Sequence, residues 1–195
     1  VISPKGEIIY PDMQMIIFAE HILKSRPESK IVFDVKCSKL LSQSITDNNG
    51  TPIMCKTGHT FIKETLRNES AILGGEMSGH IFFNDRWPGF DDGIYAAARL
   101  LEIISEQKEG VDIFDNLPSL YSTPEINLSA TDESKFEIVE LFKELYNFPE
   151  AELIDIDGVR LEFPEGWGLI RASNTSPVLV LRFEASTEIA LNEIK

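Results

Sequence analysis

The sequence predicts an α/β architecture in two parts: a layered α/β domain with a mixed, mostly parallel sheet, then a small α+β domain with an antiparallel sheet flanked by helices. Three observations carry this. Short β-branched runs alternate with helical segments between residues 30 and 105, the pattern of helices covering a largely parallel sheet. That alternation stops near residue 117 in a stretch rich in turn formers, "NLPSLYSTPEINLSATDES". Beyond it come a helix, several alternating strand-like runs and a last helix, the order of an α+β unit. The expected boundaries are 10–117 for the α/β domain, 118–126 for a linker and 127–195 for the α+β domain.

Taken in order, "GEIIY" reads as the end of a strand and Pro11 as the first residue of a helix, "PDMQMIIFAEHILKS", which Pro27 stops. "KIVFDVK" is a short β-branched strand. "SKLLSQSITDNNG" is a helix ended by Asn48, Asn49 and Gly50. "TPIMCKT" is a strand, "HTFIKETLRNES" a helix, and "AILGG" a buried strand. "WPGF" is a turn. In "DDGIYAAARLLEIISEQ", Ile94, Ala97, Ala98 and Leu101 form an i, i+3, i+4, i+7 stripe behind an N-cap at Asp91 or Asp92. In the second part, Ile138, Leu141, Phe142 and Leu145 are the expected apolar face of "ESKFEIVELFKELYN". Asp157 and Gly158, between alternating runs, predict a two-residue type I′ hairpin turn. That turn sends Val159, Leu161 and Phe163 to one side and Arg160 and Glu162 to the other. "GLIRAS" and "VLVLRFEA" are strands around the loop "NTSP", and Ser186 starts the last helix.

The chain of 195 residues is 43% hydrophobic, enough to build a core, and its formal net charge of −14 argues against a general nucleic-acid binder, which needs a basic face. Small anions remain admissible, because a few local arginines and lysines outweigh distant charge. No run approaches the ~18 apolar residues of a membrane span. Cys37 and Cys55 have neither zinc nor disulfide spacing, which fits inert thiols in a reducing cytoplasm.

Three stretches can carry chemistry. "GGEMSGH", residues 74–80, places Glu76, Ser78 and His80 among glycines that follow a strand and let backbone approach a ligand. A carboxylate accepts from adjacent hydroxyls while Ser and His donate or accept, which suits a polyol. The pattern is neither a dinucleotide fingerprint nor a P-loop. Spacing alone leaves a polar turn equally open. "RASNTSP" offers the planar fork of Arg171 with Ser173, Asn174 and Thr175, a phosphate-binding set in a loop whose amides can form an anion nest. The same residues also make an ordinary turn. Lys36 and His59 each follow a predicted strand, at the carboxyl ends where open α/β sheets bind ligands. "DIDGVR" lacks the spaced carboxylates of a calcium loop and reads as a hairpin.

Seven segments in order, "YPD", "FDVKCS", "KTGHTFIK", "GGEMSGHIFF", "WPGFDDGIYAAARLLEI", "DGVR" and "WGLIRASNTSPVLVLRFEA", resemble the α-D-phosphohexomutases, most closely the bacterial phosphomannomutase/phosphoglucomutase branch. The resemblance implies that Glu76 and Ser78 hold sugar hydroxyls and that His80 supports their loop. It implies that Lys36 and His59 line the cleft and that Arg171, Ser173, Asn174 and Thr175 grip the non-reacting phosphate. It implies glucose or mannose 1- and 6-phosphates as partners, a phosphoserine donor, a hexose 1,6-bisphosphate intermediate and Mg2+. Met77, where related phosphoglucosamine mutases carry Gln, favours the mannose/glucose branch.

The family's serine loop, of the form T-A-S-H-N-P, and its magnesium loop, D-G-D-x-D-R, do not occur in this sequence. Residues 1–9 resemble the tail of the domain that precedes the sugar-recognition domain. The expectation is a substrate-binding part of a mutase, whose remaining domains are its partners; the alternative is a non-catalytic phosphosugar-binding module. The purified chain, mixed with glucose 1-phosphate and glucose 1,6-bisphosphate, is expected to form no glucose 6-phosphate in a coupled assay. Sustained turnover would overturn that expectation.

Overall fold

The computed structural model describes residues 1–109 and 111–195. They form two compact units, Val1–Pro118 and Ser119–Lys195.

In the first unit α1 (Pro11–Ser25), β1 (Lys30–Asp34), α2 (Lys39–Asp47), β2 (Thr51–Cys55), α3 (His59–Asn68), β3 (Leu73–Gly75), β4 (Ile81–Phe83) and α4 (Gly93–Ser105) follow one another. The sheet order is β2-β1-β3-β4; β1 runs parallel to β2 and β3, and β4 is antiparallel to β3. This is the mixed, mostly parallel sheet that the sequence predicts. Strand alternation divides the core. Ile31, Phe33, Leu73, Ile81 and Phe83 pack with α1, α2 and α4. Val32 and Phe82 pack on the opposite face with Ile62 and Leu66 of α3.

Gly74 and Gly75 lie inside β3, between helices on its two faces. A Cβ on Gly74 would stand 2.9 Å from Ile62 Cγ2, and one on Gly75 would stand 2.6 Å from Met15 Sδ. These glycines are therefore fixed by helix packing, not by the approach of a ligand to backbone. Helix ends follow the sequence signals. The Ser38 hydroxyl caps α2 by accepting from the Leu40 amide at 3.1 Å. At the other end Asn49 adopts φ +60°, and Gly50 N–H donates to the Ile45 carbonyl at 2.8 Å, closing a Schellman motif. "GEIIY" forms no strand; the segment turns back on itself and makes a single bridge from Ile2 to Ile8.

α4 buries a different stripe from the one expected. Ile94 and Leu101 are 87% and 65% exposed, whereas Arg99, Leu100 and Ile103 are buried. The helix carries two apolar stripes, and a charge interrupts the one that faces the core. Arg99 is accommodated there because it pairs with Asp85 at 2.7 Å and lies 4.5 Å above the Phe83 ring.

The second unit contains β5 (Tyr121–Ser122), β6 (Ile126–Ser129), α5 (Ser134–Leu145), β7 (Glu152–Ile154), β8 (Val159–Phe163), β9 (Gly166–Ala172), β10 (Val178–Ala185) and α6 (Glu188–Ile194). Its sheet runs β5-β10-β9-β8-β7, with β6 also on β10, and every pairing is antiparallel. The stretch expected as a linker thus contains β5 and the first residue of β6, short strands separated by Pro124, which cannot donate to a ladder. Val159 and Leu161 join Val139, Ala172 and Leu179 in the core, with Phe163 packed against them, as the alternation predicts. On the other face the Trp167 indole lies under the guanidinium of Arg160, 3.7 Å from its centroid, and donates to Glu184 at 2.9 Å.

Two expectations change here. α5 buries Lys135 and Val139, with Phe142 and Tyr146 half-buried, while Leu141 and Leu145 are exposed. A lysine at the head of the buried stripe disguised it. The β7–β8 ladder closes at Ile154 opposite Arg160. The connection is therefore longer than a two-residue turn, and of Asp157 and Gly158 only Gly158 has positive φ, +85°. A Cβ on Gly158 would fall 2.4 Å from the Ile170 carbonyl oxygen, so the glycine is required by contact with β9.

Leu100→Ala is expected to cost about 2–4 kcal/mol in urea unfolding and Leu101→Ala less than about 0.5 kcal/mol. The reverse order would restore the stripe expected from sequence.

Candidate functional site

In the first unit, polar groups gather beyond the carboxyl ends of β1, β2 and β3. Residues 76–80 join β3 to β4 as a tight hairpin loop. Glu76 N–H donates to the His80 carbonyl at 2.9 Å and Gly79 N–H to the Glu76 carbonyl at 3.0 Å. Gly79, at φ +99°, supplies the left-handed residue such a loop needs. The stretch is therefore a turn in its backbone, and its side chains decide the rest.

Glu76 points inward and is 2% exposed. Its Oε1 accepts from the Gly58 amide at 2.7 Å, just before α3, while Oε2 is buried without a hydrogen-bond partner among the described residues. Burial holds this carboxyl above the ordinary glutamate range; the Gly58 amide opposes, the Asp34 carboxylate adds, and His80 and Lys36 oppose. Lys36 is buried just past β1. His59 is the first residue of α3, and its ring centroid lies 6.5 Å from that of His80. His80 Nδ1 is 2.7 Å from Asp91 Oδ2. Ser78 is exposed at the loop tip. The structure thus brings Lys36, His59, Glu76 and His80 to one edge of the sheet, with Ser78 at the rim.

In the second unit, Arg171 stands near the end of β9 and is buried. Its Nε donates to Asp157 Oδ2 at 3.0 Å. The loop that follows differs from an open nest. The amides of Thr175 and Ser176 converge on Ser173 Oγ at 3.3 and 3.2 Å, so the serine oxygen occupies the place of an anion. Lys135 of α5 fixes the loop from behind, donating to the Ser176 carbonyl at 3.1 Å and to Asp132 at 2.7 Å. Asn174 and Thr175 are exposed. This loop places two exposed polar side chains beside the guanidinium of Arg171.

Sequence reasoning missed the residues that hold these groups. Asp34, Asp91, Asp157 and Lys135 orient Met77, His80, Arg171 and the 173–177 loop respectively. Asp91 read as a helix cap, a role that falls to Asp92, which accepts from the Tyr95 amide at 2.9 Å. Asp157 read as a turn residue. Each lies close in sequence to a residue that was singled out or to a turn signal, and that proximity was the available clue. Among the described residues no three His, Cys, Asp or Glu side chains gather as a metal-binding group. No helix among them is long and apolar enough to cross a membrane. Cys37 and Cys55 are buried and form no disulfide.

The family model described as phosphoglucomutase/phosphomannomutase, alpha/beta/alpha domain III, matches residues 10–121, and the model of the same family's C-terminal domain matches residues 125–195. A phosphomannomutase/phosphoglucomutase of Pseudomonas syringae pv. tomato is 50% identical over 100% of this chain and 42% of its own length. A phosphoglucomutase of Neisseria gonorrhoeae is 49% identical over 100% of this chain and 43% of its own. The crystal structure of a phosphoglucomutase/phosphomannomutase family protein from Burkholderia thailandensis superimposes with a TM-score of 0.92 at 45% identity, covering 99% of this chain and 41% of that one. The chain thus spans about 42% of the length of the curated relatives it matches.

Because the folded state raises the Glu76 carboxyl, the stability gained from its protonated form is present below the ordinary glutamate value and lost as pH rises through the folded value. Glu76→Gln is therefore expected to raise the thermal midpoint at pH 7, with the gain vanishing below about pH 4.3. A gain that does not change with pH would contradict this.

Proposed function

The chain belongs to the phosphoglucomutase/phosphomannomutase family, and we propose that it is the substrate-recognising part of an enzyme that interconverts hexose 1-phosphate and hexose 6-phosphate. The observation that carries the reading is Glu76: a buried carboxylate with one oxygen held by Gly58 and the other without a partner. Such an oxygen is suited to a ligand hydroxyl, and a hydroxyl that reaches it offsets the cost of its burial. Lys36, His59 and His80 stand beside it, and Ser78 adds a hydroxyl at the rim.

The phosphate falls to Arg171 in the second unit. Its guanidinium is fixed on one edge by Asp157, and its remaining donors match two oxygens of a phosphate. Asn174 and Thr175 contribute side-chain donors, and Ser173 acts by shaping the loop through its oxygen. A mutase that returns a phosphate to the opposite end of the sugar must bind hexose in two orientations. Vicinal hydroxyls read by a carboxylate and a terminal phosphate held by an arginine serve both. The catalytic gain on this side is positioning and charge stabilisation. The phosphoserine, the bisphosphate intermediate and Mg2+ belong to the whole enzyme; the described residues do not gather a metal-ligating group. A reducing cytoplasm suits two buried thiols that form no disulfide.

Amide NMR on the 195-residue chain tests this. Glucose 1-phosphate and mannose 1-phosphate are expected to shift residues 74–80 and 171–175, and inorganic phosphate only 171–175. Arg171→Ala is expected to abolish the phosphate response and to spare the 74–80 response to free glucose. Sugar phosphates that leave both loops unmoved would overturn the reading.

A further inference from the structure

Asp34 ends β1 and has no exposed surface. Its carboxylate joins segments distant in sequence. Oδ1 accepts from the Met77 amide at 3.1 Å and from the Cys37 thiol at 3.1 Å, and Oδ2 accepts from the Thr57 hydroxyl at 3.0 Å. Each donor adjoins a residue of the candidate site. Met77 lies between Glu76 and Ser78. Thr57 precedes Gly58, whose amide holds Glu76, and stands two residues before His59. Cys37 follows Lys36. None of these three donors belongs to the β-ladder, so strand formation alone does not require the acid.

We propose that Asp34 is a positioning residue for hexose recognition: its carboxylate ties the loops that carry Lys36, His59 and Glu76 into one rigid constellation at the end of the central strand. The proposal rests on the hexose-reading role of the 74–80 loop. Its physical basis is that a buried carboxylate is retained only where well-placed donors satisfy it, and here those donors come from three loops. The brace also explains why Glu76 can keep an unpartnered oxygen at a fixed place. The loop is held from below at Met77 and laterally through the Glu76–Gly58 bond, so Glu76 need not turn away to find a donor.

The test uses the 195-residue chain and two changes that leave Asp34 in place. Thr57→Val deletes the donor to Oδ2 while keeping the branched shape, and Cys37→Ala deletes one donor to Oδ1. Thr57 and Met77 both bond Asp34, one at each carboxylate oxygen. Thr57→Val is therefore expected to speed hydrogen exchange of both the Met77 and Gly58 amides by about tenfold, while the β1 amides keep their protection. The affinity for glucose 1-phosphate should weaken in the same variant, whereas Leu100→Ala, which lowers the thermal midpoint through the core, should leave it unchanged; a merely structural role would weaken binding in both. A third, conservative variant, Asp34→Asn, is expected to keep near-native exchange, since its carboxamide can still accept from Met77 and can donate to Thr57. Met77 exchange unaltered in both donor-deletion variants would overturn the brace. Exchange needs no sugar, so coupled Met77 and Gly58 exchange in a chain that ignores glucose 1-phosphate would sustain the brace and refute the hexose reading separately.

Discussion

The first unit depends on how closely two helices approach one short strand. β3 carries no side chain at Gly74 or Gly75, and α3 and α1 fill the two spaces that result. A Cβ in either place would push a helix outward, because interiors packed to this density have no slack. The N-terminus of α3 carries His59 and, just before it, Gly58, the donor to Glu76. The distance from helix to strand therefore sets the distance from donor to acceptor. Packing below the sheet edge and hydrogen bonding above it are one constraint.

The second unit solves a comparable problem with an antiparallel sheet. Its long central strands, β9 and β10, run straight into the 173–177 connection. The loop is not left to itself. Ser173 gathers its amides, Lys135 holds its carbonyl, and Asp157 holds the arginine at its base. Gly158, pressed against the Ile170 carbonyl and Arg171, brings the Asp157 connection close enough for that ion pair. The same contact excludes any side chain at Gly158.

Much of this was legible in the sequence, and the losses share a cause. Strands with β-branched runs, helices with Pro at the start or Asn-Gly at the end, and both candidate loops were readable from local chemistry. The buried stripes of α4 and α5 were not, because Arg99 and Lys135 lie within them. Hydrophobic periodicity assumes that charges face water, and a charge with a buried partner breaks the assumption. Asp34 and Asp157 were missed for a related reason: an acid that serves by holding another residue carries no mark in its own neighbourhood. "GGEMSGH" was legible as a polar loop, but its leading glycines answered to helices that only the fold brings near.

Arg171 carries one further consequence. A free arginine on a surface samples many rotamers and gives up roughly 2 kcal/mol of side-chain entropy when a ligand fixes it. Here the side chain is already buried and pinned through Nε to Asp157. Its rotamers are lost when the chain folds, not when the anion arrives, so little disorder remains to oppose capture. On the proposed reading, the carboxylate that looks like a competitor for an anion is what makes the guanidinium ready for one.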